Sequence, residues 1–207
     1  MLSPSDADGP GIDPLDASAP LSSLWATRRA RALQLAAGRP QAAELLFTYA
    51  ELVQVQGRVA RSVPSRRWLT LVSAEAGPPR LRLDRLPLEE LVPLLADFLS
   101  GAGDLGTGVM RTSAGALSSA PGASWLALLG TALTPEPMAE EAPFHIRAFL
   151  QPVAAALAAG DPRPLETAKG GRCLVCGGAP AVGAMQDLPE GAGSRSLICA
   201  VCGTSWR

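Results

Sequence analysis

All four cysteines of this 207-residue chain lie near its end, as two Cys-x-x-Cys pairs, Cys173/Cys176 and Cys199/Cys202. The spacer between the pairs runs from Gly177 to Ile198. Two thiolates of one pair reach the same ion because a tight turn brings residues i and i+3 together, and two pairs at such a spacing make a tetrahedral ligand set. Each second cysteine is followed by glycine, Gly177 and Gly203, which accepts the positive φ needed to curl the chain under a metal. The pattern predicts one four-cysteine site for a single Zn or Fe ion. A thioredoxin-like dithiol fits less well, because that motif opens a helix, whereas Gly177-Gly178-Ala179-Pro180 follows the first pair. Two disulfides would require an oxidising compartment, for which the sequence carries no targeting signal.

The rest of the chain reads as mainly α. Residues 1–20 are rich in Pro, Gly, Ser and Asp and predict a disordered tail. They hold no apolar core of a signal peptide, and no run approaches a membrane span. A twin-arginine signal at Arg28-Arg29 lacks the apolar stretch that should follow it. The expected location is cytoplasmic, with no membrane insertion.

A helical domain is expected over 21–160. Its first helix should run over Leu24–Ala37, with Ala26, Ala30, Leu33 and Ala37 as the buried stripe and Gly38 and Pro40 as its stop. A second helix over Gln41–Ser62 should bury Leu45, Tyr49, Leu52 and Val53. Residues 63–86 read as irregular. Pro87 opens a third helix that Gly101 should end, with Glu89 and Glu90 favourable in its first turn. Residues 101–120 read as a Gly/Ser/Thr-rich loop; they lack the Gly-Lys-Ser/Thr ending of a phosphate loop. Helices over Ala123–Leu133 and Met138–Ala159 follow, the latter with Phe144, Ala148, Leu150, Val153 and Leu157 buried and Pro152 as a kink. His145, the one histidine, has no neighbouring Cys or Asp that would make it a ligand or a base. Residues 161–168 read as a linker, and 169–207 as a small β module, a zinc ribbon, whose few large apolar groups cannot hold a core without a metal.

Net charge is −1, which argues against a nucleic-acid partner. Residues 177–198, where a nucleic-acid ribbon would carry basic and aromatic side chains, hold Asp187, Glu190 and Arg195 and no aromatic. No nucleophile–base pair, carboxylate dyad or cofactor fingerprint appears, so the residues by themselves describe a non-catalytic protein-binding adaptor with a metal-stapled end.

One resemblance sharpens that description. The order Cys173-x-x-Cys176-Gly177-Gly-x-Pro180, then Gly193-x-Arg195-x-Leu197-x-Cys199-x-x-Cys202 and Trp206, resembles the accessory proteins of bacterial formate dehydrogenase, the FdhE family. The arginine- and alanine-rich stretch Arg28 to Pro40, Val55-Gln56 and Phe149-Leu150-Gln151 are similar as well. The resemblance implies a rubredoxin-like module, with iron in some members. It also implies a non-enzymatic maturation factor that binds the catalytic subunit of a formate dehydrogenase. Partner contact would fall on the module surface, at Arg172, Arg195 and Trp206. Members usually continue past the tryptophan into a second pair of Cys-x-x-Cys motifs, whereas this sequence stops at Arg207, which implies a short form. A rubredoxin-like electron carrier is the competing expectation.

Overall fold

The fold was obtained as a computed structural model, and it describes residues 21–74, 77–105, 108–133, 144–163, 171–186 and 194–206. The expected tail over 1–20, the helix start at 138–143, linker positions 164–168 and the hairpin loop 187–193 lie outside the described residues. The chain is mainly helical and ends in a small three-stranded sheet.

Helices α1 (Leu21–Gly38) and α2 (Ala43–Ser62) are joined through a 3-10 turn at Pro40–Ala42. The fixed φ of Pro40 suits that turn. The buried face of α1 is Trp25, Ala32 and Ala36, whereas Ala26, Ala30 and Ala37 are exposed. The expected stripe is therefore one position out. Alanines populate every face of α1, so its one aromatic residue, the buried Trp25, sets its rotation by packing against Gly57, Val53 and Ala155. On α2, Leu52, Val53, Val55, Val59 and Ala60 are buried, but Leu45 is 70% and Tyr49 43% exposed, contrary to expectation. Burial on α2 begins at Ala50 and covers its later turns.

Residues 65–72 form a helix, α3 (Ser65–Val72), that the sequence reading missed. It has a strongly two-sided pattern, with Trp68 and Val72 buried. The Trp68 indole donates to Glu90 Oε2 at 2.9 Å, and Arg67 pairs with the same carboxylate. Helix α4 (Leu88–Gly103) starts after Pro87 as expected but runs past Gly101, because Ala102 beyond it is buried in the core.

Residues expected as loop form α5 (Gly108–Ser118). Its small residues have weak helix propensity, and tertiary contacts overrule it. Ala114 is fully buried, and the Trp125 indole of α6 (Gly122–Ala132) donates to Leu117 O at 2.7 Å. Helix α7 (Phe144–Gly160) continues through Pro152, which is buried, while Phe144 at its solvent end is exposed.

Helix α7 is the central element of the body, with Ile146, Phe149, Leu150, Val153 and Leu157 almost fully covered. Phe98 of α4 packs on Phe149 with ring centroids 5.8 Å apart. Strands β1 (Pro180–Gln186), β2 (Ser194–Cys199) and β3 (Ser205–Trp206) form an antiparallel sheet in that order. The sheet module shares one apolar core with the helices, into which Val175, Val201 and Trp206 project.

Residues 161–163, placed in the linker by the sequence, are tied down. Arg163 bonds both oxygens of Asp161 at 2.8 and 2.9 Å and also reaches Ala74 O and Arg80 O. Arg80 returns a bond to Arg163 O at 2.8 Å. A buried carboxylate between two guanidiniums thus clamps the end of α7 to the segment before Leu81. That segment in turn bonds the module: Arg80 N donates to Leu174 O and Leu81 N to Val175 O, at 3.0 and 2.7 Å.

Candidate metal centre

The two Cys-x-x-Cys-Gly turns fold alike. In each, the glycine N–H donates to the carbonyl of the first cysteine, Gly177 to Cys173 at 2.8 Å and Gly203 to Cys199 at 3.2 Å. In each, the N–H of the first cysteine donates to the carbonyl five residues on, Cys173 to Gly178 and Cys199 to Thr204, both at 2.9 Å. Gly177 and Gly203 have φ of +76° and +73°, which is why glycine follows each pair. The turns are joined by the Ala200 N–H, which donates to Ala179 O at 3.0 Å.

This arrangement brings Cys173, Cys176, Cys199 and Cys202 together, with all four Sγ atoms within 4.8 Å of one another. The nearest pairs cross between the turns: Cys173–Cys202 at 3.6 Å and Cys176–Cys199 at 3.5 Å. With metal–sulfur bonds of about 2.3 Å, tetrahedral sulfurs stand about 3.8 Å apart, so the donor set fits one ion. Cys176 is partly exposed and the other three are buried. The Val201 N–H donates to Cys199 Sγ at 3.3 Å and the Thr204 hydroxyl lies 3.1 Å from Cys202 Sγ, contacts that orient the sulfurs and favour thiolate.

Protons are unevenly shared within the cluster. Hydrogen bonds from Cys173, Cys176 and Cys202 hold Cys199 far below the usual thiol range, while hydrogen bonding to Cys173, Cys199 and Cys202 pushes Cys176 far above it. A metal must displace those protons, so uptake weakens as pH falls. Four thiolates fill a tetrahedral ion and leave no open position for substrate. Zinc and iron both suit such a set.

Around the centre, Arg172 is exposed and its Nη1 donates to Gly177 O at 3.3 Å. Arg195 is exposed on β2, opposite Met185 of β1. Trp206 is buried, paired with Leu197, and so belongs to the core beneath the sheet. Two further groups were not singled out as site residues from sequence. Gln151 Nε2 lies 3.5 Å from Ala200 O, and the buried Gln56 Nε2 donates to Gln151 Oε1 at 3.2 Å and to Ala148 O at 2.8 Å. Arg28 of α1 stacks on Trp25, its Cζ 4.9 Å from the ring centroid, and a methyl group at Gly203 would stand 2.9 Å from its Nη2. Burial holds the Arg28 guanidinium below its ordinary pKa, partly offset by Tyr49. Only the glutamines' chain neighbourhoods and the arginine-rich stretch were visible as signals in sequence.

His145 is buried, with Nε2 2.8 Å from Ser113 Oγ and 3.1 Å from Met110 O. A carbonyl has no proton to give, so Nε2 carries the hydrogen, and the Ser113 hydroxyl donates to the same carbonyl at 3.0 Å. In that tautomer His145 cannot accept the serine proton through Nε2, so the pair is not a nucleophile and its base.

Compared with family models, with curated proteins and with solved structures, the chain matches none. No helix among the described residues is long and apolar enough to cross a membrane.

Proposed function

We propose that this chain is a non-catalytic accessory factor that binds the catalytic subunit of a formate dehydrogenase and promotes formation of the active enzyme. The observation that carries the reading is a convergence. The separate stretches that resemble the FdhE family, Val55-Gln56, Phe149-Leu150-Gln151 and the second cysteine turn, meet at one place, where Gln56 bonds Gln151 and Gln151 reaches Ala200 O. A coordinatively filled metal site suits a structural or recognition role, because it offers no position for chemistry on a substrate. We read the module as rubredoxin-like, its two turns repeating the same hydrogen bonds. Arg172 and Arg195, both exposed beside the centre, are the proposed contacts, and Trp206 supports the sheet from below.

The test is an anaerobic co-purification of the tagged chain from its own host grown on formate, beside Cys176→Ser, with metal content read on the same eluate. A formate dehydrogenase catalytic subunit in the wild-type eluate, absent from the variant, is the expected result. An eluate holding the chain alone overturns the proposal. Iron with reversible visible absorbance in such an eluate would favour an electron carrier instead.

A further inference from the structure

A loaded four-cysteine centre has a charge to balance. Four thiolates around one divalent cation leave a net charge of about −2, here in a place where three of the four cysteines are buried. We propose that Arg28, on the first helix of the body, is the countercharge of the loaded metal centre and ties metal affinity to the docking of the second cysteine turn on the helices. This rests on the four-cysteine reading and not on any protein partner.

Position is the first support. Gly203 directly follows the ligand Cys202, and Arg28 Nη2 comes so near it that a methyl group there would be 2.9 Å away. The guanidinium is held in that place from behind by Trp25, its Cζ 4.9 Å from the ring centroid. The second is that no anion among the described residues pairs with it. The ion pairs of the described residues involve Arg67, Arg80, Arg82 and Arg163, and none includes Arg28. The ionisable neighbour that acts on it is the Tyr49 phenol and not a carboxylate. A half-buried cation with no anion among the described residues destabilises the fold, and a dianionic centre beyond the adjacent turn would balance it.

Arg172 stands beside the first turn, bonded to Gly177 O, but it is exposed, so water and salt screen its charge. It serves as the control.

The experiment measures cobalt(II) and zinc(II) affinity of the purified full chain by competition with a chromophoric chelator, at low and high salt. Arg28→Met keeps the stem on Trp25 and removes the charge, whereas Arg28→Lys keeps the charge. The expected result is roughly tenfold weaker binding for Arg28→Met at low salt, a difference that shrinks as salt rises, near-wild-type binding for Arg28→Lys, and little change for Arg172→Gln. A second measurement compares metal-free unfolding, where Arg28→Met should be at least as stable as wild type. Unchanged affinity in Arg28→Met overturns the proposal. So does an equal loss in Arg28→Lys, which would assign the effect to stacking, or a stability loss in Arg28→Met as large without metal as with it. A failed co-purification would leave these outcomes standing.

Discussion

The helical body and the cysteine module obtain their order by different means. Most of α7 is buried, and its large apolar residues close against Phe98, Leu95, Leu91 and Trp68. At about 1.5–3 kcal/mol for each fully covered large side chain, such a body has many independent sources of stability. The module buries Val175, Val201, Trp206 and three of its four cysteines, while Val182 is 57% and Met185 77% exposed on the outer strand. Its centre is a cluster of four sulfurs that could hold one ion. Redundancy in one region and dependence on a single cluster in the other teach where the molecule can be switched.

The largest effect should come from taking away that cluster's ion. Structural zinc sites contribute on the order of 10 kcal/mol to small metal-dependent folds, more than the module's few apolar contacts can replace. After chelation, or in Cys176→Ser, backbone amides over 171–186 and 194–206 should exchange rapidly while the far-UV helical signal persists. Hydrogen exchange read by mass spectrometry checks this. Helices that melt together with the module would break the comparison and make the two regions one cooperative unit.

The junction sharpens it next. Asp161, its side chain 5% exposed, lies between Arg163 at 2.8 Å and Arg80 at 3.9 Å. Asp161→Ala removes the buried carboxylate that Arg163 and Arg80 share and should cost about 3–5 kcal/mol. Because Arg80 and Leu81 hold the first cysteine turn through Leu174 O and Val175 O, module and body should both loosen. Burial by itself would raise the Asp161 pKa, but hydrogen bonds and charge from Arg163, with Arg80, outweigh it and leave the carboxyl below its ordinary value. The native state therefore holds this proton less tightly than the unfolded chain. The stabilisation is complete above the ordinary value near 3.8 and is lost as pH falls below it. Urea titrations at pH 7 and near pH 3 should show a larger loss of stability in wild type than in Asp161→Asn, which keeps the acid sensitivity of Asp84, of His145 and of the cysteine cluster; an equal loss in both would show that the clamp does not contribute.

What sequence could reveal follows the same division. The cysteine pairs and their glycines are local, since a turn and its ligands lie within five residues, and they were legible outright. The long helices α2 and α7 were legible too, because apolar spacing marks them. What failed needed distant partners. The face of α1 was misread because alanine is small enough to sit on any side, and only the contact of Trp25 with Gly57 fixes the rotation. Helix α5 has loop-like composition and exists because Ala114 and the Trp125 indole reach it from outside. Tyr49 and Leu45 fit a helical stripe but are exposed on the first turns of α2. The clamp at Asp161 and the approach of Arg28 to Gly203 join positions far apart in the chain, and no spacing rule connects them.

The smallest predicted effect tests the body on its own terms. Desolvation lowers the His145 pKa from its ordinary 6.5, with the Met110 carbonyl opposing in part. Its Nδ1 is buried with no partner among the described residues, so protonation would create a second donor that none of them receives. Above pH 6.5 both native and unfolded chains carry a neutral imidazole there, and His145 gives no pH dependence. Below it the unfolded chain takes the proton and the native chain resists, so stability falls by at most about 1.4 kcal/mol per pH unit until the lowered native value is reached. That window lies above the one governed by Asp161, which separates the two groups. Unfolding of wild type and His145→Gln at pH 7 and 5.5, with zinc saturating, should show the extra decline only in wild type. A decline of equal size in both would place the acid sensitivity in the cysteine cluster, where metal uptake competes with protons, and would make the module, not the body, the part of the protein that responds to pH.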